Sequence, residues 1–333
     1  MAFDRRYLWI FTLILTLAFF RQEAACAASP TVSVSGDVSK HLKLNLEDLK
    51  KLEPFHVNKV VQVASKKAGG QDRMIAMSDC RGVLLRDILE MAGMKHVRKY
   101  EPGVFIRVKG SGNSEVVFSF GEIFYSSIGR SVLIAYEKDG RPVAGGEGLG
   151  ELVVTTDVRT GRSLGGVREI VVERVDVPMN AYEDRSRKIV RPPTSEFVLL
   201  DSRTRKSNRI NLADLKKHDP VRIDAAVMAG DCEGFHGIYS FKGASLRSLL
   251  QQSGIDPSTP DYDRYVLICS ENGFCATFSF GEIFNSRLSD NIIIAYEKDG
   301  APLDPTEAFA KSVVRDDSVG GRSVRRISSI EIR

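Results

Sequence analysis

The chain has 333 residues, 43% of them apolar and 27% charged, with a formal net charge of +4 at pH 7. A small excess of mixed signs excludes a nucleic-acid footprint, and the length allows two ordinary domains, each with its own core. No P-loop, Rossmann or C-x-x-C-H pattern occurs, and the five histidines (His41, His56, His96, His218, His236) are scattered.

The chain opens like an export signal. Arg5 and Arg6 precede an apolar run, Tyr7–Phe20, and Ala25-Cys26-Ala27 fits a small-residue cleavage site. The run is short for a membrane span, which needs about 20 apolar residues. A lipid anchor would use Cys26, but Glu23 stands where such signals want an aliphatic residue. The arginine pair leaves the general and twin-arginine export routes both open. Residues 1–27 are therefore read as a signal peptide, the protein as periplasmic or secreted, and the cleaved chain as lacking a membrane span. Cleavage removes three arginines and two acids, leaving +3.

From residue 31 the elements follow in order. "TVSVSGDV" alternates as a strand does, and "LNLEDLKKL" reads as a short amphipathic helix with Asn45 as N-cap. "LLRDILEMAG" puts Leu85, Ile88, Leu89 and Ala92 on one face, with Gly93 placed to end the helix. "VVFSF" is a strand running into a helix, and Ser119 and Glu122 have capping-box spacing. "IAYEKDG" is a strand closed by an Asp-Gly hairpin turn, and "REIVVERV" a final strand. The charged stretch 176–196, with Pro192-Pro193, reads as a linker.

Then the same order returns. "FSFGEIF" stands at Phe118–Phe124 and Phe278–Phe284, "IAYEKDG" at Ile134–Gly140 and Ile294–Gly300, and "GRS" at Gly161–Ser163 and Gly321–Ser323, each pair 160 apart. "INLADLKK" at Ile210–Lys217 answers "LNLEDLKK" at Leu44–Lys51, and "GASLRSLLQQSG" answers "GVLLRDILEMAG". Asn211 and Gly254 repeat the capping roles, and the chain ends on the strand "SSIEIR". The unit is too long for a solenoid repeat, so this reads as one domain duplicated, copy one at 31–175 and copy two at 197–333. The expected fold class is α+β, a mixed and largely antiparallel sheet with a few short helices. Capping and core packing account for most of the repeated heptad.

Loss of Cys26 leaves Cys80, Cys232, Cys269 and Cys275. Cys269 and Cys275 flank "SENGF" in a predicted hairpin, and 160 residues earlier the same places hold Lys109 and Glu115. Two favourable pairs at one pair of positions imply that the positions face each other across two strands. A cross-strand disulfide is the expectation, ahead of a redox dithiol.

The sequence of "VSGDVSKHLKLNLEDLKKL", "GVLLRDILEMAGM", "FSFGEI", "LIAYEKDGRPV" and "GRS" resembles the sulfite-oxidase-type molybdopterin-binding domain, twice over nearly the whole cleaved chain. The resemblance implies an oxidoreductase-type domain able to hold a pterin carrying molybdenum, though function lives in sites rather than folds. In that family a cysteine in a stretch like "CAGN" supplies the thiolate that this soft metal needs. Here copy two reads "MAGD", Met228–Asp231, and copy one has Val63. Cys232 lies four residues late, open to ligation or to a buried or disulfide-bonded state. Cys232 and His236 alone are a weak zinc signal. Gly230, Gly234 and Gly237 make this loop able to approach a ligand closely.

The family also sets basic residues on the pterin phosphate, and copy two offers Lys311 and Arg325 where copy one has Glu151 and Gly165. The cofactor-binding candidates are thus Met228, Gly230, Asp231, Cys232, Lys311 and Arg325, all in copy two. Two functions follow as expectations: an exported molybdopterin-binding oxidoreductase-type protein with its site in copy two, or a cofactor-free module that binds a small molecule or a periplasmic protein.

Overall fold

The computed structural model describes residues 29–64, 72–94, 103–143, 148–175, 194–229 and 234–333. The expected signal peptide and nearly all of the expected linker lie outside them. The first half runs β1 (Val32–Gly36), β2 (Leu42–Leu44), α1 (Leu46–Lys50), β3 (Phe55–Ala64), β4 (Arg73–Leu84), α2 (Leu85–Met91), β5 (Val104–Lys109), β6 (Glu115–Ser119), α3 (Phe120–Phe124), β7 (Val132–Lys138), β8 (Arg141–Pro142), β9 (Leu149–Val154), β10 (Leu164–Val167) and β11 (Glu169–Arg174). The second runs β12 (Glu196–Asp201), β13 (Lys206–Asn211), α4 (Leu212–Leu215), β14 (Pro220–Ala229), β15 (Gly234–Ser245), α5 (Leu246–Gln252), β16 (Tyr265–Ser270), β17 (Cys275–Ser279), α6 (Phe280–Phe284), β18 (Ile292–Lys298), β19 (Ala301–Pro302), β20 (Lys311–Val314) and β21 (Ile327–Ile332).

The order β2-β1-β11-β5-β6 in one sheet is matched strand for strand by β13-β12-β21-β16-β17. In each, the opening strand lies parallel to the closing one, β1 on β11 and β12 on β21; every other pairing is antiparallel. The second sheets also correspond, β3-β4-β7-β9 with β10 at the edge, and β14-β15-β18-β20. The fold is α+β, as the alternation predicts.

Local chemistry sets the ends of the elements. Asn45 accepts from the Asp48 N–H while Asp48 accepts from the Asn45 N–H, and Asn211 and Asp214 repeat that reciprocal cap. Leu85, Ile88 and Leu89 of α2 are buried, and Gly93, φ +88°, takes the left-handed conformation that ends the helix. The Asp139-Gly140 and Asp299-Gly300 turns both have positive φ at both residues, the geometry of a two-residue hairpin. One apolar core joins Val32, Ile106 and Phe118 of the first sheet to Val83, Ile134 and Leu152 of the second; another joins Phe197, Ile268 and Phe278 to Ala244 and Ile294.

Where sequence reading saw a loop at Met228–Gly237, the structure has a long hairpin, β14–β15, matched in the first half by β3–β4. Their outer parts expose Met74, Ile75 and Met77 on one and Phe235 and Ile238 on the other.

The halves meet through β6–α3 and β17–α6, the repeated heptads. Glu122 and Glu282 are capping residues as expected from Ser119 and Ser279, whose hydroxyls accept from their N–H groups at 3.0 Å. Glu282 Oε1 also accepts from the Ser279 N–H at 2.8 Å, closing the expected capping box in the second half and not in the first, and both carboxylates reach further. Ser119 Oγ donates to Glu282 Oε1 and Ser279 Oγ donates to Glu122 Oε2, both at 2.6 Å, so each half bonds the other. Arg322 Nη1 donates to Glu282 at 2.6 Å and grips Asp317 at 2.6 and 2.8 Å. Arg162 does the same with Glu122 and with Asp157, the latter at 2.6 and 2.9 Å. Both arginines are buried, each 4.9 Å from its own heptad's first ring, Phe118 or Phe278.

Candidate functional site

The expected site residues fall in two places. Met228 is in β14, paired with Phe235 of β15 just before the hairpin turn. Gly230, Asp231 and Cys232 lie outside the described residues. Gly237 has φ +142°, a conformation that favours glycine. Lys311 and Arg325 do come together, as partners in a β-bridge. The register then separates the two groups. The Lys311 ammonium lies 5.4 Å from the centre of the Phe241 ring, and Phe235 is six residues further along β15, about 20 Å at the rise of a strand. The described part of the hairpin end and the two cations do not form one cluster.

The cations also differ from the expected pair of open phosphate contacts. Lys311 is 2% exposed, and its Nζ donates to Glu307 Oε1 at 2.7 Å. Burial pulls its pKa down, with Glu307 acting against that effect. Arg325 is half exposed and has Nε 3.6 Å from the same carboxylate. Glu307 therefore already supplies the anion that the two cations face. Sequence reading missed it because it sits in a turn, Asp304–Ala310, although Glu147 stands 160 residues earlier. In the first half the equivalent strand position, Glu151, is paired to Lys138 at 2.6 Å and accepts from Gln62 at 3.2 Å. The sign is reversed between the halves, as read from the sequence, and each charge is held internally.

Among the described residues no three of His, Cys, Asp and Glu come together to hold a metal. The free cysteine among them, Cys80, is buried on β4 with its Sγ 3.8 Å from Ser78 Oγ. Burial pushes its thiol pKa up, away from the thiolate that a soft metal requires. Cys269 and Cys275 form the expected disulfide and sit opposite each other in the β16–β17 register. Lys109 and Glu115 face each other at the equivalent register, but their ion pairs go sideways, to Glu169 at 2.9 Å and to Arg107 at 2.7 Å. Among the described residues neither Cys80 nor the bridged pair offers a thiolate, and the candidate ligand Cys232 lies outside them. Among them no helix is long and apolar enough to cross a membrane.

Residues 23–178 match the family described as the oxidoreductase molybdopterin binding domain. The match falls on the first half, whereas the candidates read as a retained site are in the second. No curated protein matches the chain. Among solved structures, the sulfane dehydrogenase SoxCD from Paracoccus pantotrophus is matched at 13% identity with a TM-score of 0.35, over 75% of this chain and 62% of that one. The chain spans less than two thirds of that structure's length.

Proposed function

We propose, on a first half that carries the molybdopterin-binding oxidoreductase signature and a second half with the same element order, that the chain is an exported pair of such domains in tandem. Its work is binding, not molybdenum redox chemistry. The observation that carries this reading is the commitment of the candidate groups: Lys311 is buried against Glu307, and Val63 and Met228 stand where a ligating cysteine would be. A thioether or an alkyl chain cannot replace the thiolate. The first half, with Glu151 where a phosphate would need a cation, is a structural partner.

A second reading keeps a site in the second half, because Arg325 is half exposed and Cys232 follows Met228 closely. Under it a phosphate-bearing pterin would touch Arg325, and Cys232 would be the metal ligand. The cleaved full-length protein, assayed for sulfite-dependent reduction of an electron acceptor, separates the two. The binding reading expects background rates. Turnover that is lost in Cys232→Ser would replace it with the metalloenzyme reading.

A further inference from the structure

The contact between the halves is built as a pairing surface rather than as incidental packing. Its parts are reciprocal: each serine hydroxyl reaches the other half's glutamate at 2.6 Å, and each arginine lies across the other half's glycine. A Cβ on Gly121 would collide with the Arg322 side chain, and one on Gly281 with that of Arg162. The same holds between Gly161 and Tyr262, and between Gly321 and Tyr125. Beside the charged seam, the outer faces of the first sheets meet through Phe105, Val117 and Leu267, with the rings of Phe105 and Tyr265 stacked at 4.4 Å. Glu122 and Glu282 are buried there, and each takes one of its bonds from the other half's serine, as groups do in obligate dimer interfaces.

The reciprocity is incomplete, and one of its breaks sets the partner. Tyr125 in the first half is replaced by Asn285 in the second. The Asn285 amide donates to Asp157 and to the Arg159 carbonyl, both at 2.8 Å, and its oxygen accepts from the Arg159 N–H at 3.0 Å. A first half facing another first half would lack these bonds.

We propose that this seam is a recognition surface for a second copy of the same domain type. It holds first half to second half without the covalent connection, and the same contacts form between halves of different chains, giving reciprocal dimers. The test places a protease site within residues 176–193 of the cleaved full-length protein and cuts it after folding. Native mass spectrometry should then find one first half with one second half. Mixing with a cut, isotopically heavy preparation should give light–heavy pairs that are always first with second. Separation of the cut halves at micromolar concentration, or pairs of like halves, would overturn the proposal. Gly281→Leu should release the halves. Because that variant risks misfolding, Ser119→Ala with Ser279→Ala serves beside it and should weaken the pairing at least tenfold, about 1.4 kcal/mol. Pairing unchanged in the double serine variant would move recognition to the Phe105–Tyr265 face and sink the assignment.

Discussion

Replacing Arg162 by leucine removes a buried charge while keeping an apolar stem against Phe118. Three N–H bonds disappear, two to Asp157 and one to Glu122, and both carboxylates stay buried. Breaking a buried pair from one side costs about 3–5 kcal/mol, because the remaining charge has neither water nor a partner. For a chain of this size that lowers the melting temperature by about 6–15 °C. Burial already drives the pKa of Glu122 up to about 7 and that of Asp157 upward, with Arg162 opposing both. Without Arg162 both would take up protons more readily, so the loss should be smaller at pH 5.0 than at pH 7.5. Arg162→Lys keeps the charge without the fork and should fall between. Urea unfolding followed by far-UV circular dichroism reads these numbers, since the single tryptophan, Trp9, lies in the expected signal peptide. A loss below about 1 kcal/mol at pH 7.5, or a larger loss at pH 5.0, would refute the claim that the seam is a stabilising charge cluster.

Wild-type stability should fall as pH rises from 5 to 8: burial raises Glu122 to about 7 and Asp317 to about 6, so the folded chain holds protons that the unfolded chain has lost. That contribution is complete below the ordinary carboxylate range and disappears as pH passes the folded values; a melting temperature that is flat or rising over this window contradicts it. Peptide mapping of protein made under oxidising conditions should recover the Cys269–Cys275 bridge, and Cys269→Ser with Cys275→Ser should lose about 2 kcal/mol, the value for a short closed loop. Arg325→Gly, being half exposed, should cost less than about 1 kcal/mol in stability. If a phosphate-bearing pterin binds in the second half, the same change should weaken its binding about tenfold in a fluorescence titration; unchanged binding would remove Arg325 from any site.

Much of the fold was legible because its signals are local. Alternating valines in β1, the asparagine caps before α1 and α4, the glycines after α2 and α5 and the Asp-Gly turns each act within a few residues. The hairpins β3–β4 and β14–β15 were not legible, since their outer parts put Met74, Ile75 and Ile238 in solvent and mix apolar and polar side chains without regular alternation. The repeated heptad was read correctly as capping and core, but its larger meaning is non-local. Ser119 meets Glu282 across 163 residues, and only the pairing of two halves brings them together. One signal was available: Glu122, Asp157 and Arg162 recur at Glu282, Asp317 and Arg322, all at the offset of 160, as charged residues shared by the two halves. Glu307 escaped because nothing in sequence ties a turn glutamate to a lysine buried four residues later.

Molybdenum and pterin content of the cleaved full-length protein, purified from cells supplied with molybdate, tests the central claim most directly. The account predicts molybdenum far below one per chain and no stoichiometric pterin, with Cys232→Ser indistinguishable from wild type. One molybdenum and one pterin per chain, lost together in Cys232→Ser, would contradict it.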